Sequence, residues 1–156
     1  MNASVQLATL VFGFLIGFIL YERTKYRVGG VVAVPVLVTY SIGNPMLFPI
    51  FLISIIACFV AGSWVGQRTL IYGRRLLYVF LTLSVIITSC LIFFIAGFYS
   101  HELLLITVGT IFPGILAYNL NREIFDRESA VVSITVLGMN MLIVGLFALL
   151  LMLWIG

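Results

Sequence analysis

Gln67-Arg68-Thr69-Leu70-Ile71-Tyr72-Gly73-Arg74-Arg75 decides the fold, because of what stands on either side of it. Neither Met46–Gly66 before it nor Leu76–Phe98 after it contains a Lys, Arg, Asp or Glu. At 1.5 Å per residue, each is long enough to cross about 30 Å of hydrocarbon as a helix. Two such helices joined by a basic turn read as a transmembrane hairpin. Basic residues beside span ends stay in the cytoplasm, which puts the turn inside.

The same logic extends in both directions. The remaining apolar stretches are Val5–Tyr21, Val28–Ile42, Leu103–Asn121 and Ala130–Ile155. All eight Lys and Arg residues fall in alternate gaps: Arg23, Lys25 and Arg27, then Arg68, Arg74 and Arg75, then Arg122 and Arg127. The gaps at Gly43-Asn44-Pro45 and Tyr99-Ser100-His101-Glu102 hold none. Only a chain that crosses at every stretch gives this alternation. The sequence therefore predicts an all-α integral membrane protein of about six transmembrane segments, with both termini outside the cytoplasm.

Composition agrees. The chain of 156 residues is 63% apolar and 8% charged, against about a quarter charged in a soluble domain. It reads as a single transmembrane domain over 1–156, with no room for a soluble catalytic domain. The net charge of +3 comes from the inner gaps and reports orientation, so no nucleic-acid partner is expected. The basic residues follow the first apolar stretch, unlike a removable signal peptide. Cys58 and Cys90 lie inside apolar segments without CxxC spacing, as structural thiols do.

Two segments are unusual. The second and fifth are short, carry glycine near their start and have an interior proline: Gly29-Gly30 then Pro35, and Gly109 then Pro113-Gly114. Proline removes a backbone donor and clashes with the preceding turn, so both segments are expected to be kinked or broken there. Irregular backbone at membrane depth persists only inside protein or beside a wet cavity. Pro35 and Pro113, Tyr40 and Tyr118, and Tyr21 and Tyr99 are each separated by half the chain length. Halves 1–78 and 79–156 then each hold three spans, and an odd number inverts the second half. That is the inverted-repeat plan of many transporters. Coincidence in an apolar sequence with few identities is the competing explanation.

Chemistry of its own is scarce. There is no GxxxxGK[ST] phosphate loop, and His101-Glu102 lacks the second histidine of a zinc helix. The acids Glu22, Glu102, Glu123, Asp126 and Glu128 all fall in gaps or at span ends, which argues against a mid-membrane proton relay. No catalytic residue, metal site or cofactor is expected. Arg68, Tyr72, Arg74 and Arg75 present a basic, aromatic surface to the cytoplasm, suited either to lipid headgroups or to a partner's acidic groups. Asn119 to Glu128 reads as a charged loop after the Pro113-Gly114 break.

Together these residues resemble a known family. Glu22-Arg23-Thr24, Gly30 with Pro35, Tyr72-Gly73-Arg74-Arg75, and Pro113-Gly114 followed by Leu116-Ala117 and Asn119 are similar to the membrane subunit of bacterial poly-γ-glutamate synthase, the PgsC/CapC family. The resemblance covers essentially the whole length. One departure is Val36 after Pro35, where the family usually has glycine. The resemblance implies a non-catalytic subunit in the cell envelope, devoted to poly-γ-glutamate biosynthesis, capsule formation and polymer export. Its partners would be a cytoplasmic Mur-ligase-like ATP-dependent amide ligase, a membrane-anchored extracytoplasmic subunit and the anionic poly-γ-glutamate chain. The docking surface would be Arg68, Tyr72, Arg74 and Arg75. The polymer path would include Pro35, Pro113, Gly114 and Asn119, with Glu22, Thr24 and Arg122 as further polar positions. A small inverted-repeat solute transporter and a passive membrane anchor for the ligase are the alternatives.

Overall fold

Long runs without charge become long helices. The computed structural model describes residues 3–25, 32–43, 45, 47–69, 73–96, 109–127 and 130–155. Its helices are α1 (Ala3–Thr24), α2 (Ala33–Gly43), α3 (Leu47–Thr69), α4 (Arg74–Ala96), α5 (Phe112–Arg127) and α6 (Ala130–Ile155). Among the described residues all regular structure is helical. Gly29-Gly30, Asn44, Tyr72, His101-Glu102 and Glu128, on which parts of the sequence reading fall, lie outside the described residues.

Four helices are long and apolar enough to cross a membrane, over Ser4–Thr24, Leu47–Thr69, Arg74–Phe94 and Val131–Trp154. Their outward faces carry Leu15, Ile56, Ile86, Phe94 and Leu142, all exposed. Water would not tolerate so much contiguous apolar surface, whereas a lipid surround requires it. α2 is apolar but shorter. α5 has 16 residues and is the polar helix of the set.

The sequence reading needs one correction here. Asn119 to Arg127 is helix and not loop, for α5 continues without interruption to Arg127. It continues because the neighbouring helices enclose it, so Asn121 and Glu123 are buried while Arg122 between them is exposed. Pro35 is the third residue of α2 and Pro113 the second of α5. Proline fits a first turn because the N–H it lacks has no intrahelical acceptor there.

Packing follows a small-against-large rule. In a bilayer, lipid tails compete for apolar contact, so helices associate where small residues let backbones come close. On α3, Ser54, Cys58, Gly62 and Gly66 recur every four residues and so share one face. A Cβ added at Gly62 would stand 2.4 Å from the Phe80 ring, and one at Gly66 would meet Leu76 at 3.1 Å. Cys58 and Ser84 are in hydrogen-bond contact. These pairings run in opposite directions along α3 and α4, as in a helical hairpin. α5 runs parallel to α3, since Ser63 donates to Asn121 at 2.9 Å and Gly109 meets Phe51 at the same separation in sequence.

The other side of the bundle uses the same rule. Gly13 of α1 lies under Pro35 of α2, where a Cβ would be 2.6 Å from the proline ring. Phe12 stacks on Phe147 of α6 with centroids 3.7 Å apart. The helices α3, α4 and α5 thus touch one another pairwise, as do α1, α2 and α6. Among the described residues the two trios meet mainly through α2 and α5.

A polar helix enclosed by the bundle as candidate functional site

α5 combines the most polar sequence among the helices with a central position. Its first turn is anchored to α4. The Ser84 hydroxyl donates to the Thr110 carbonyl, and Gly114 lies so close that an added Cβ would be 2.6 Å from both the Phe80 carbonyl oxygen and the Ser84 Cβ. Pro113 is fully buried. Gly114 therefore serves backbone-to-backbone packing with α4 in this arrangement.

One and two turns later come the polar side chains. Tyr118 sets its ring edge-on to Phe80 at 5.9 Å and its hydroxyl donates to the Gly73 carbonyl at 3.4 Å. Asn119 is half-buried. Asn121 is only 5% exposed, with its side-chain oxygen accepting from Ser63. Glu123 is 6% exposed, which the sequence reading of a charged loop did not foresee. Burying a carboxylate is costly unless neighbouring groups compensate, so the position is a specific one. Arg122 is exposed on the same helix.

The basic turn next to this end has its own logic. Gly73 adopts a left-handed φ of 67°, which an L side chain resists by roughly 1–2 kcal/mol. That requirement explains the glycine between Tyr72 and the arginine pair. Arg74 and Arg75 are exposed in the first turn of α4. The positive end of the helix dipole disfavours cations there by roughly 0.3–1 kcal/mol each, so they do not serve the stability of the helix. Arg68 is placed differently, in the last turn of α3 and 4.6 Å over the Trp64 ring. Tyr118, Gly73 and the arginine pair thus come together.

Glu22 and Thr24 belong to the end of α1. Glu22 pairs with Lys25 at 2.8 Å, and its hydrogen bond, then its charge, hold the Lys25 amine above the usual lysine range. Thr24 donates to the Leu20 carbonyl at 2.7 Å. Lys25 itself takes a left-handed φ of 58°, closing the helix with a bond to the Tyr21 carbonyl. Pro35 belongs to the other trio, against Gly13, and is fully buried.

Composition alone did not single out four buried polar residues. Ser54, Thr88 and Ser133 are fully buried and Asn140 is 3% exposed; their side-chain oxygens have no hydrogen-bond partner. The signal for the first two is the four-residue spacing of Ser54-Cys58-Gly62 on α3 and Phe80-Ser84-Thr88 on α4.

A family model described as Capsule biosynthesis CapC matches residues 12–129. The chain belongs to this family and is a membrane protein of capsule biosynthesis, as the Tyr-Gly-Arg-Arg and Pro-Gly elements led us to expect. No curated protein and no solved structure matches it.

Proposed function

We propose that the chain is the membrane subunit of a poly-γ-glutamate synthesis and export complex. In this reading it is non-catalytic, holds a cytoplasmic ATP-dependent amide ligase through Arg68, Tyr72, Arg74 and Arg75, and forms part of the polymer's route with an extracytoplasmic partner. The observation that carries the reading is α5, the polar helix at the centre of the bundle, whose Asn121 and Glu123 are buried. A passive anchor has no use for such a helix, and polar groups inside membranes mark functional pathways.

Six spans with both termini outside follow from the charge alternation, with Pro35 and Pro113 in the first turns of α2 and α5. The N-terminal end of a helix carries about half a positive charge, which favours a polycarboxylate. The two halves are an inverted repeat in which the third helices change places. Exchanging α1 with α4, α2 with α5 and α3 with α6 turns each substantial helix contact into another of the set. That equivalence supports the inverted repeat over coincidental similarity.

The test is Asn119→Leu, at a half-buried position on α5. The expected result is loss of extracellular polymer with normal recovery of the ligase and normal early ATP turnover. Normal polymer output at normal expression refutes the α5 route and leaves an anchor.

A further inference from the structure

The side chains of a helix lean toward its N-terminus, because every Cα–Cβ bond tilts that way. This rule divides the basic turn between α3 and α4. α4 begins at Arg74, so its first side chains lean away from the bilayer and into the cytoplasm. Arg68 stands in the last turn of α3, so its side chain leans back toward the bilayer. The guanidinium does lie there, 4.6 Å over the ring of Trp64, one turn deeper.

A long basic side chain near a span end ordinarily carries its charge outward to water. Arg68 carries it inward. Among the described residues it has no carboxylate partner, and neither α3 nor α4 contains an acid. Residues four apart share a helix face. Ile56, Val60 and Trp64, which precede Arg68 at that spacing, are each more than half exposed. The face that packs on α4, with Gly62 and Gly66, points the opposite way. The exposed stripe runs about 18 Å from Ile56 to Arg68, similar to the roughly 20 Å between bilayer midplane and headgroups. Its indole stands where tryptophans collect, at headgroup level.

An apolar face one leaflet deep, closed by an interfacial indole and an inward-turned guanidinium, fits a molecule of the same order: an acyl chain, then a phosphate. We propose that the stripe Ile56, Val60, Trp64 and Arg68 docks an anionic phospholipid of the cytoplasmic leaflet, with Arg68 on its headgroup. A soluble partner approaches from the side toward which Arg74 and Arg75 lean, so the ligase surface of the export reading narrows to Tyr72, Arg74 and Arg75. The lipid site itself depends on neither ligase nor polymer.

Trp154, the other tryptophan of the chain, lies at the far end of α6, so Trp154→Phe leaves Trp64 as the sole reporter. The full-length Trp154→Phe chain is reconstituted in phosphatidylcholine vesicles that contain phosphatidylglycerol or phosphatidylcholine brominated on the acyl chain, which quenches tryptophan on contact. Brominated phosphatidylglycerol should be favoured at Trp64 about fivefold, the equivalent of about 1 kcal/mol for one basic residue at a membrane surface. Arg68→Gln should remove the preference, and Arg74→Gln with Arg75→Gln should keep it. All three arginines are exposed, so none of these changes disturbs the core. Equal quenching by the two lipids, or a preference that vanishes with the Arg74 and Arg75 changes, overturns the site. A preference that survives Arg68→Gln while the ligase is lost overturns it too and returns Arg68 to the dock. Ligase recovery from Arg74→Ala with Arg75→Ala is a separate measurement, and neither outcome there moves the lipid result.

Discussion

Replacing Gly114 with alanine adds a single methyl group at the tightest contact of α5. That carbon would stand 2.6 Å from the Phe80 carbonyl oxygen and from the Ser84 Cβ, where ordinary contact between carbon atoms needs about 3.5–4.0 Å. One of the two obstacles is backbone, so no side-chain rotation relieves it and the helices have to part by about 1 Å. Overpacking of this kind costs about 1–3 kcal/mol, and the parting strains the Ser84–Thr110 hydrogen bond. Alanine in a helix interior recovers about 0.5–1 kcal/mol of that through propensity. The net expectation is a loss of up to about 2.5 kcal/mol, or up to roughly sixtyfold in the folded-to-unfolded ratio. Gly138→Ala supplies the control, since nothing lies within 4 Å of its added carbon; there propensity alone acts and stability should rise. Equilibrium unfolding in mixed micelles of SDS and a mild detergent measures both. A Gly114→Ala chain that gains as much stability as Gly138→Ala, or a Gly138→Ala chain that loses as much as Gly114→Ala, refutes this account of the α4–α5 contact.

Three further outcomes follow. Gly73→Ala forces alanine into a left-handed φ and should cost about 1–2 kcal/mol in the same unfolding measurement; an unchanged midpoint removes the backbone reason for glycine in the turn. Arg74→Ala with Arg75→Ala should weaken recovery of the ligase while the chain stays folded, and lysines should restore it only in part because they lack the forked guanidinium. Recovery at the normal ratio would make the pair headgroup anchors. Single cysteines at Asn44 and Ser100 should react with a membrane-impermeant reagent in intact cells, and those at Thr69 and Asp126 should not; labelling of Thr69→Cys overturns the six-span topology.

The four long helices were legible because an uninterrupted apolar run says nearly everything about a span. Proline restricts the backbone locally, and Pro35 and Pro113 stand in the first turns of α2 and α5. α5 beyond Tyr118 was not legible. Asn119 to Arg127 has the composition of a loop, and only enclosure by neighbouring helices makes a helix of it, with Asn121 and Glu123 buried on either side of exposed Arg122. Local composition carries no record of that enclosure. Gly114 was expected to face the polymer because glycine permits close approach. The approach is real, but the neighbour is the α4 backbone. Ser54 and Thr88 were visible only as a four-residue spacing, which matters once two helices are known to pair.

The most direct measurement is the identity and ratio of proteins that co-purify with this chain in mild detergent. The account predicts an ATP-dependent amide ligase in fixed ratio, accompanied by an extracytoplasmic subunit, and no solute transport by the chain alone in liposomes. A chain that purifies without a ligase and moves a small solute by itself would contradict it.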